Sequence, residues 1–189
     1  MPASVGPARW SSHVNRVNAS AEMRQWLTDR ASLTVKLIAR SSHFRVQRLR
    51  QKQGLCLADE CAAVRLPRRA LVREREVLLR CDEVPMVFAH TIVPMAASAS
   101  DWPFFSALGE RSLGTTLFGD PRVVRGSLQF ARLYARHPLV RRAEAAIGTE
   151  LSRHPLFARR CLFQRNNGML LVTEVFLPAI AEIGPPVTT

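Results

Sequence analysis

"REREVLLRCDEVPMVFAHTIVP", residues 73–94, reads as two β-strands folded back on each other. The strands, about 70–81 and about 85–94, are rich in Val, Leu, Ile and Phe, and the short polar connection "DEVP" between them suits an antiparallel hairpin. Side chains alternate faces along a strand, so Leu71, Arg73, Arg75, Val77 and Leu79 share one side while Val72, Glu74, Glu76, Leu78 and Arg80 share the other. The first side is the more apolar and the natural core face. Arg75 stands in it beside Val77 and Leu79, where an unpaired guanidinium is expensive.

The pattern continues outward from this hairpin. "MLLVTEVFL", about 169–177, predicts a further strand, and Asn167-Gly168 ahead of it offers the positive φ angles of a tight turn from "RRCLFQR". Residues 43–52 alternate Phe44 and Val46 with basic residues until Leu49 breaks the pattern, which marks a half-exposed strand. Met23, Trp26 and Leu27 follow a Ser20 cap at helical spacing and predict a helix near 20–30. "SDWPFFSALG" predicts a short helix capped by Ser100 or Asp101 and ended by Gly109. Residues 123–135 fit a strand or a helix, with Leu128 and Phe130 favouring a strand at the start, and 137–155 reads as a helix bounded by Pro138 and Pro155. Hairpins dominate, so the expected class is α+β: one antiparallel sheet with helices covering one side.

Length and composition fit one domain over residues 1–189, with loose tails at about 1–9 and 184–189. No run of about 18 apolar residues is present to span a bilayer, and the first residues lack the apolar stretch of a secretory signal, so a cytoplasmic protein without membrane insertion is expected. Cys56, Cys61, Cys81 and Cys161 lack zinc-site spacing and read as free thiols, and the five histidines show no ligand spacing, so no metal is expected. The net charge of +12 suits an anionic partner or an arginine-rich surface. Nucleic-acid binding would rest on that charge alone, because the arginines are spread without aromatic interleaving or a recognition helix.

The last strand repeats the puzzle of the first. Leu170, Val172, Glu174 and Phe176 share a face, and Glu174 is the only charge in nine residues. Arg75 and Glu174 either pair with each other in the core, line a cavity for a polar ligand, or sit at an exposed edge. A ligand in such a cavity would carry an anionic group for Arg75 and a hydroxyl or transferable proton for Glu174.

The chain resembles the chorismate pyruvate-lyases of ubiquinone biosynthesis. The resemblance is carried by "REVLLRCDEVPMVFAHTIVP" (75–94), "LGERSLGTTLF" (108–118) and "LLVTEVFLPA" (170–179); it is best over 70–179, and before residue 70 it rests on a helix followed by "SLT" at 32–34. It implies an enzyme that eliminates pyruvate from chorismate to leave 4-hydroxybenzoate without metal or organic cofactor, on an antiparallel sheet whose helical flaps close over a buried site, and the chain is expected to be a monomer. The family's essential arginine and glutamate fall on Arg75 and Glu174, the two misfit charges. Arg75 would clamp the ring carboxylate, with backbone groups near Leu33 and Leu113 completing the pocket and Gly114 permitting close backbone approach. Glu174 would bond the C4 hydroxyl and assist proton loss at C4. Ala89 replaces a family glycine that faces the ring hydroxyl, Ser112 replaces a common proline, and His90 stands where familiar members have arginine. His90 is therefore either a substrate-carboxylate contact or a solvent-facing or hydrogen-bonded strand residue. Segment 137–155, longer than in compact members, is expected to be a surface helix. The rival function is a non-catalytic aromatic-acid sensor of the same fold, as in the effector domains of some transcription regulators.

Overall fold

A computed structural model describes residues 8–151 and 153–186; of the expected tails, residues 1–7 and 187–189 lie outside the described range. Helix α1 (Ala21–Thr28) starts on Ser20, whose hydroxyl accepts a hydrogen bond from the Met23 N–H, and α2 (Leu33–Ile38) starts in the same way on Ser32. Strands β1 (Phe44–Leu55), β2 (Leu71–Cys81) and β3 (Val84–Pro94) follow as a meander. A long connection through α3 (Met95–Ser98), a 3₁₀ turn at Phe105–Ala107 and α4 (Leu113–Gly119) reaches β4 (Val123–Leu133). Helix α5 (Pro138–Ile147) precedes the closing hairpin of β5 (Leu156–Arg165) and β6 (Gly168–Phe176).

The six strands form one antiparallel sheet in the order β1-β2-β3-β6-β5-β4. Leu49, which broke the alternation of β1, lies at the register shift between Arg48 and Arg50, where an extra residue reverses the facing of everything after it. The β2–β3 turn places both Asp82 and Glu83 at positive φ, 48° and 65°, the twist a two-residue hairpin needs. In the β5–β6 hairpin the positive φ falls on Asn166, at 53°, one residue ahead of the Asn167-Gly168 pair expected to supply it. Gly168 serves a different purpose, since a Cβ there would stand 2.4 Å from the Asp101 Cβ.

Helices cover both faces of the sheet, which corrects the expectation of one covered side. Residues directly opposed in an antiparallel ladder share a face, so Val77, Ala89, Glu174 and Arg159 form one row, and Leu78, Phe88, Val175 and Ala158 form a row on the opposite face. Trp26, Leu27, Leu33 and Leu37 of α1 and α2 cluster with Val77 and Leu79 on the first face. On the other, Leu139, Val140 and Ala143 of α5 cluster with Leu78 and Phe88. Strand β3 is buried along nearly its whole length, as "MVFAHTIV" already suggests, because a strand covered on both sides needs a continuous apolar run rather than alternation.

Helix α5 is shorter and less superficial than the reading of 137–155. Pro138 fits its first turn, and Gly148 ends it in the left-handed conformation at φ 69°, well before Pro155. All four cysteines are free and buried, with the sulfurs of Cys56 and Cys61 2.9 Å apart.

Candidate active site

Between the first face of the sheet and the roof made by α2, with the loop leading into it, and α4 lies a cavity of about 690 Å³ of empty space, its mouth included. Arg75, Thr91, Val172 and Cys161 oppose one another across β2, β3, β6 and β5, and the row of Ala89, Glu174 and Arg159 lies next to them. Arg75 and Glu174 thus reach the same cavity with β3 between their strands. They are not paired with each other, which leaves the cavity arrangement among those open from the sequence.

Arg75 is 2% exposed. Its Nη2 donates to the carbonyl oxygens of Gly109 at 3.0 Å and Arg111 at 2.9 Å, while its Nε is buried without a partner. No carboxylate pairs with it among the described residues. Burial, with the charge of Arg48 adding to it, lowers its pKa to about 10, so the group is a cation at neutral pH that lacks a counter-anion. A buried charge in this condition is what a bound anion relieves.

Glu174 has a partner that the sequence reading missed. The Arg159 Nε donates to its Oε2 at 2.5 Å, and the Arg159 Nη1 donates to the carbonyl oxygens of Trp26 at 3.0 Å and Asp29 at 2.7 Å. Arg159 therefore ties the glutamate to the C-terminal end of α1, where helix carbonyls lack intrahelical donors. The signal was present: Phe157, Arg159, Cys161 and Phe163 share a face by the alternation that singled out Arg75.

Leu33 and Leu113 both line the cavity, each as the first residue of its short helix, where a backbone N–H has no partner within the helix. The two roof segments are joined by the hydroxyls of Thr34 and Ser112, 2.7 Å apart. Ser112 gives no side-chain cap to α4. A Cβ on Gly114 would meet Ser32 and Thr34 at 3.5 Å, an ordinary contact, so close backbone approach does not require the glycine. Ala89 also lines the cavity and faces Glu174 directly across the ladder.

His90 does not reach the cavity, which corrects the substrate-contact alternative. One step along β3 from Ala89, it points to the opposite face, fully buried, with Nδ1 3.1 Å from Glu76 and Nε2 3.2 Å from Glu60. Glu74 and Glu76, on that same face, take Arg50 and Arg142 as partners. The ligand atoms of Glu74, Glu76 and His90 lie within 4.8 Å of one another, a spacing a cation would fit, but the two arginines already supply the positive charge there.

Burial works against the His90 imidazolium, but Glu60 and Glu76 outweigh it and raise the pKa from 6.5 to about 9. Burial likewise resists ionisation of Glu76, yet His90 and Arg142 bring it down from 4.5 to about 2. The histidine's contribution to stability is complete below pH 6.5 and lost as pH rises through about 9; the glutamate's is complete above 4.5 and lost as pH falls toward 2. The urea midpoint is expected to be highest between about pH 4.5 and 6.5 and to decline toward pH 9. His90→Gln should lower that midpoint and flatten its alkaline decline; a decline identical to that of the unsubstituted chain would rule His90 out as its source.

The fold and site define an α+β domain with a roofed cavity whose wall carries a buried guanidinium that has no acidic partner among the described residues. Solved structures agree on the fold alone: a GntR-family transcriptional regulator from Bacillus cereus matches with a TM-score of 0.56 at 10% identity over 78% of this chain and 100% of that one. PhnF from Mycobacterium smegmatis matches with a TM-score of 0.56 at 16% identity over 86% of this chain and 70% of that one. Sequence carries the assignment further. The chain belongs to the chorismate lyase family, which it matches over residues 6–183. A probable chorismate pyruvate-lyase of Ralstonia nicotianae is 52% identical over 166 residues, 86% of this chain and 84% of that protein. Another, from Cupriavidus metallidurans, is 47% identical over 184 residues, 96% of this chain and 86% of its own.

Proposed function

We propose that this chain is a chorismate pyruvate-lyase that converts chorismate to 4-hydroxybenzoate and pyruvate without metal or organic cofactor. The observation that carries the proposal is Arg75: a buried guanidinium at a cavity wall, with no acidic partner among the described residues and an unused Nε. Arg75 receives the ring carboxylate, and free backbone N–H groups at Leu33 and Leu113 border the same pocket. Glu174 accepts a hydrogen bond from the C4 hydroxyl, with Ala89 packing beside the ring.

In the reaction the C4–H bond gives up its proton, the electron pair forms the last double bond of the aromatic ring, and the C3–O bond breaks. The departing enolpyruvate takes up a proton and becomes pyruvate. Aromatisation drives the step, so the protein's task is to hold C4 near a base, keep the ring in register and exclude water. Glu174 is the candidate base, and Arg159 is its positioning residue.

The same proposal covers a single domain over residues 1–189, a monomer acting in the cytoplasm, and the first committed step of ubiquinone biosynthesis. No helix among the described residues is long and apolar enough to cross a membrane. The test is incubation of metal-free protein with chorismate, resolving pyruvate and the hydroxybenzoate isomers. Equimolar pyruvate and 4-hydroxybenzoate establish the lyase; saturable binding of 4-hydroxybenzoate with no turnover would replace it with a sensor.

A further inference from the structure

Arg125 is the charged group of the cavity for which neither the carboxylate clamp nor the proposed base has a use. It stands on β4 opposite Phe163, on the row next to that of Cys161 and Leu128, and lines the cavity wall. Its Nη1 donates to the Arg30 carbonyl oxygen in the α1–α2 loop. The guanidinium carbon lies 5.2 Å from the ring centre of Phe118, on α4, and 6.0 Å from that of Phe163. Arg125 therefore stands where both roof segments meet the sheet. Its Nε is buried without a hydrogen-bond partner, and no carboxylate pairs with it among the described residues.

The charges lining the cavity are Arg75, Arg125, Arg159 and Glu174. Arg159 and Glu174 neutralise each other, which leaves two cations and no further anion among the described residues of the lining. Chorismate carries two carboxylates, one on the ring and one on the enolpyruvyl group, whereas 4-hydroxybenzoate keeps only the first. The Cys161 thiol connects these groups in space: burial raises its pKa, Arg125 and Arg159 lower it, and Glu174 raises it further, so all three lie within electrostatic reach of one sulfur.

We infer that Arg125 is a substrate-specificity residue that binds the enolpyruvyl carboxylate of chorismate, forming with Arg75 a two-cation recognition of the dianion. This rests on the reading of chorismate as substrate. The leaving group is then held by a cation through bond cleavage and separates as pyruvate beside the junction of the two roof segments. Because the product lacks that carboxylate, Arg125 discriminates substrate from product.

The experiment compares the unsubstituted protein with Arg125→Gln and Arg125→Lys, measuring kcat/KM for chorismate and, by calorimetry, the dissociation constant of 4-hydroxybenzoate. Loss of a charge-assisted contact predicts a fall in kcat/KM of roughly 10- to 100-fold in Arg125→Gln, partly restored in Arg125→Lys, with product affinity unchanged. Unchanged kcat/KM, or equal losses for substrate and product, would overturn the inference, the second outcome showing that Arg125 only supports the cavity. If the unsubstituted protein bound 4-hydroxybenzoate but produced none from chorismate, the substrate reading itself would fail and take this inference with it.

Discussion

Arg75→Met is expected to lower kcat/KM for chorismate by roughly two to three orders of magnitude, the cost of removing one partner of a buried charged contact. The affinity for 4-hydroxybenzoate should fall with it, since substrate and product share the ring carboxylate. Stability should respond differently. In the ligand-free protein Arg75 is a buried cation without a counter-anion, and burial together with Arg48 already lowers its pKa to about 10. Methionine removes that cost while keeping much of the side chain's volume, although the carbonyl oxygens of Gly109 and Arg111 lose their donor. The thermal midpoint without ligand is therefore expected to hold or rise, and the upward shift that 4-hydroxybenzoate gives the unsubstituted protein should disappear. A variant with a lowered midpoint but normal product affinity would make Arg75 a structural residue. In the unsubstituted protein, carboxylate binding should weaken as pH rises through about 10, where the guanidinium of the free site loses its proton.

Arg75 and Glu174 were legible in the sequence because each interrupts an apolar row, and a strand's alternation makes a single interruption visible. Arg159 interrupts its row equally, but Arg160 beside it made the pair resemble ordinary surface charge. Arg160 itself is buried on the other face, donating through Nη1 to the Asp59 carbonyl oxygen. The burial of the opposite polar row was not legible for the same reason. Glu76 and His90 oppose each other there, and consecutive charges in β2 ordinarily mark solvent. Only the long-range cover of α5 and the segment around Glu60 buries them, and no local pattern announces that cover. The strands came through because each spans nine or more residues, enough for period-two patterns to register. Helices α2 and α4, with six and seven residues, are too short for a helical period to repeat twice. Those two short helices are the roof, so the sheet face of the site could be read from sequence while its closure came only through a family resemblance.

Glu174→Gln is expected to reduce kcat by roughly 10²- to 10⁴-fold, the range general-base assistance supplies, while leaving product affinity largely intact. The split follows from what glutamine keeps. Its amide oxygen still accepts a hydrogen bond from the C4 hydroxyl, so the ground-state contact survives, but it cannot receive the C4 proton, so the transition-state contact is lost. Arg159→Gln separates positioning from basicity: Glu174 remains, but loses the donor at 2.5 Å and its tie to the carbonyl oxygens of Trp26 and Asp29. Its kcat should fall less than that of Glu174→Gln, and the double variant should be no slower than Glu174→Gln alone, since a residue that acts only through Glu174 has nothing to position once the base is removed. Additive losses in the double variant would mean that Arg159 meets the substrate itself. Full turnover by Glu174→Gln with an unchanged pH profile would return the proton transfer to solvent or to substrate, and leave the glutamate as the counter-charge that keeps Arg159 in the wall.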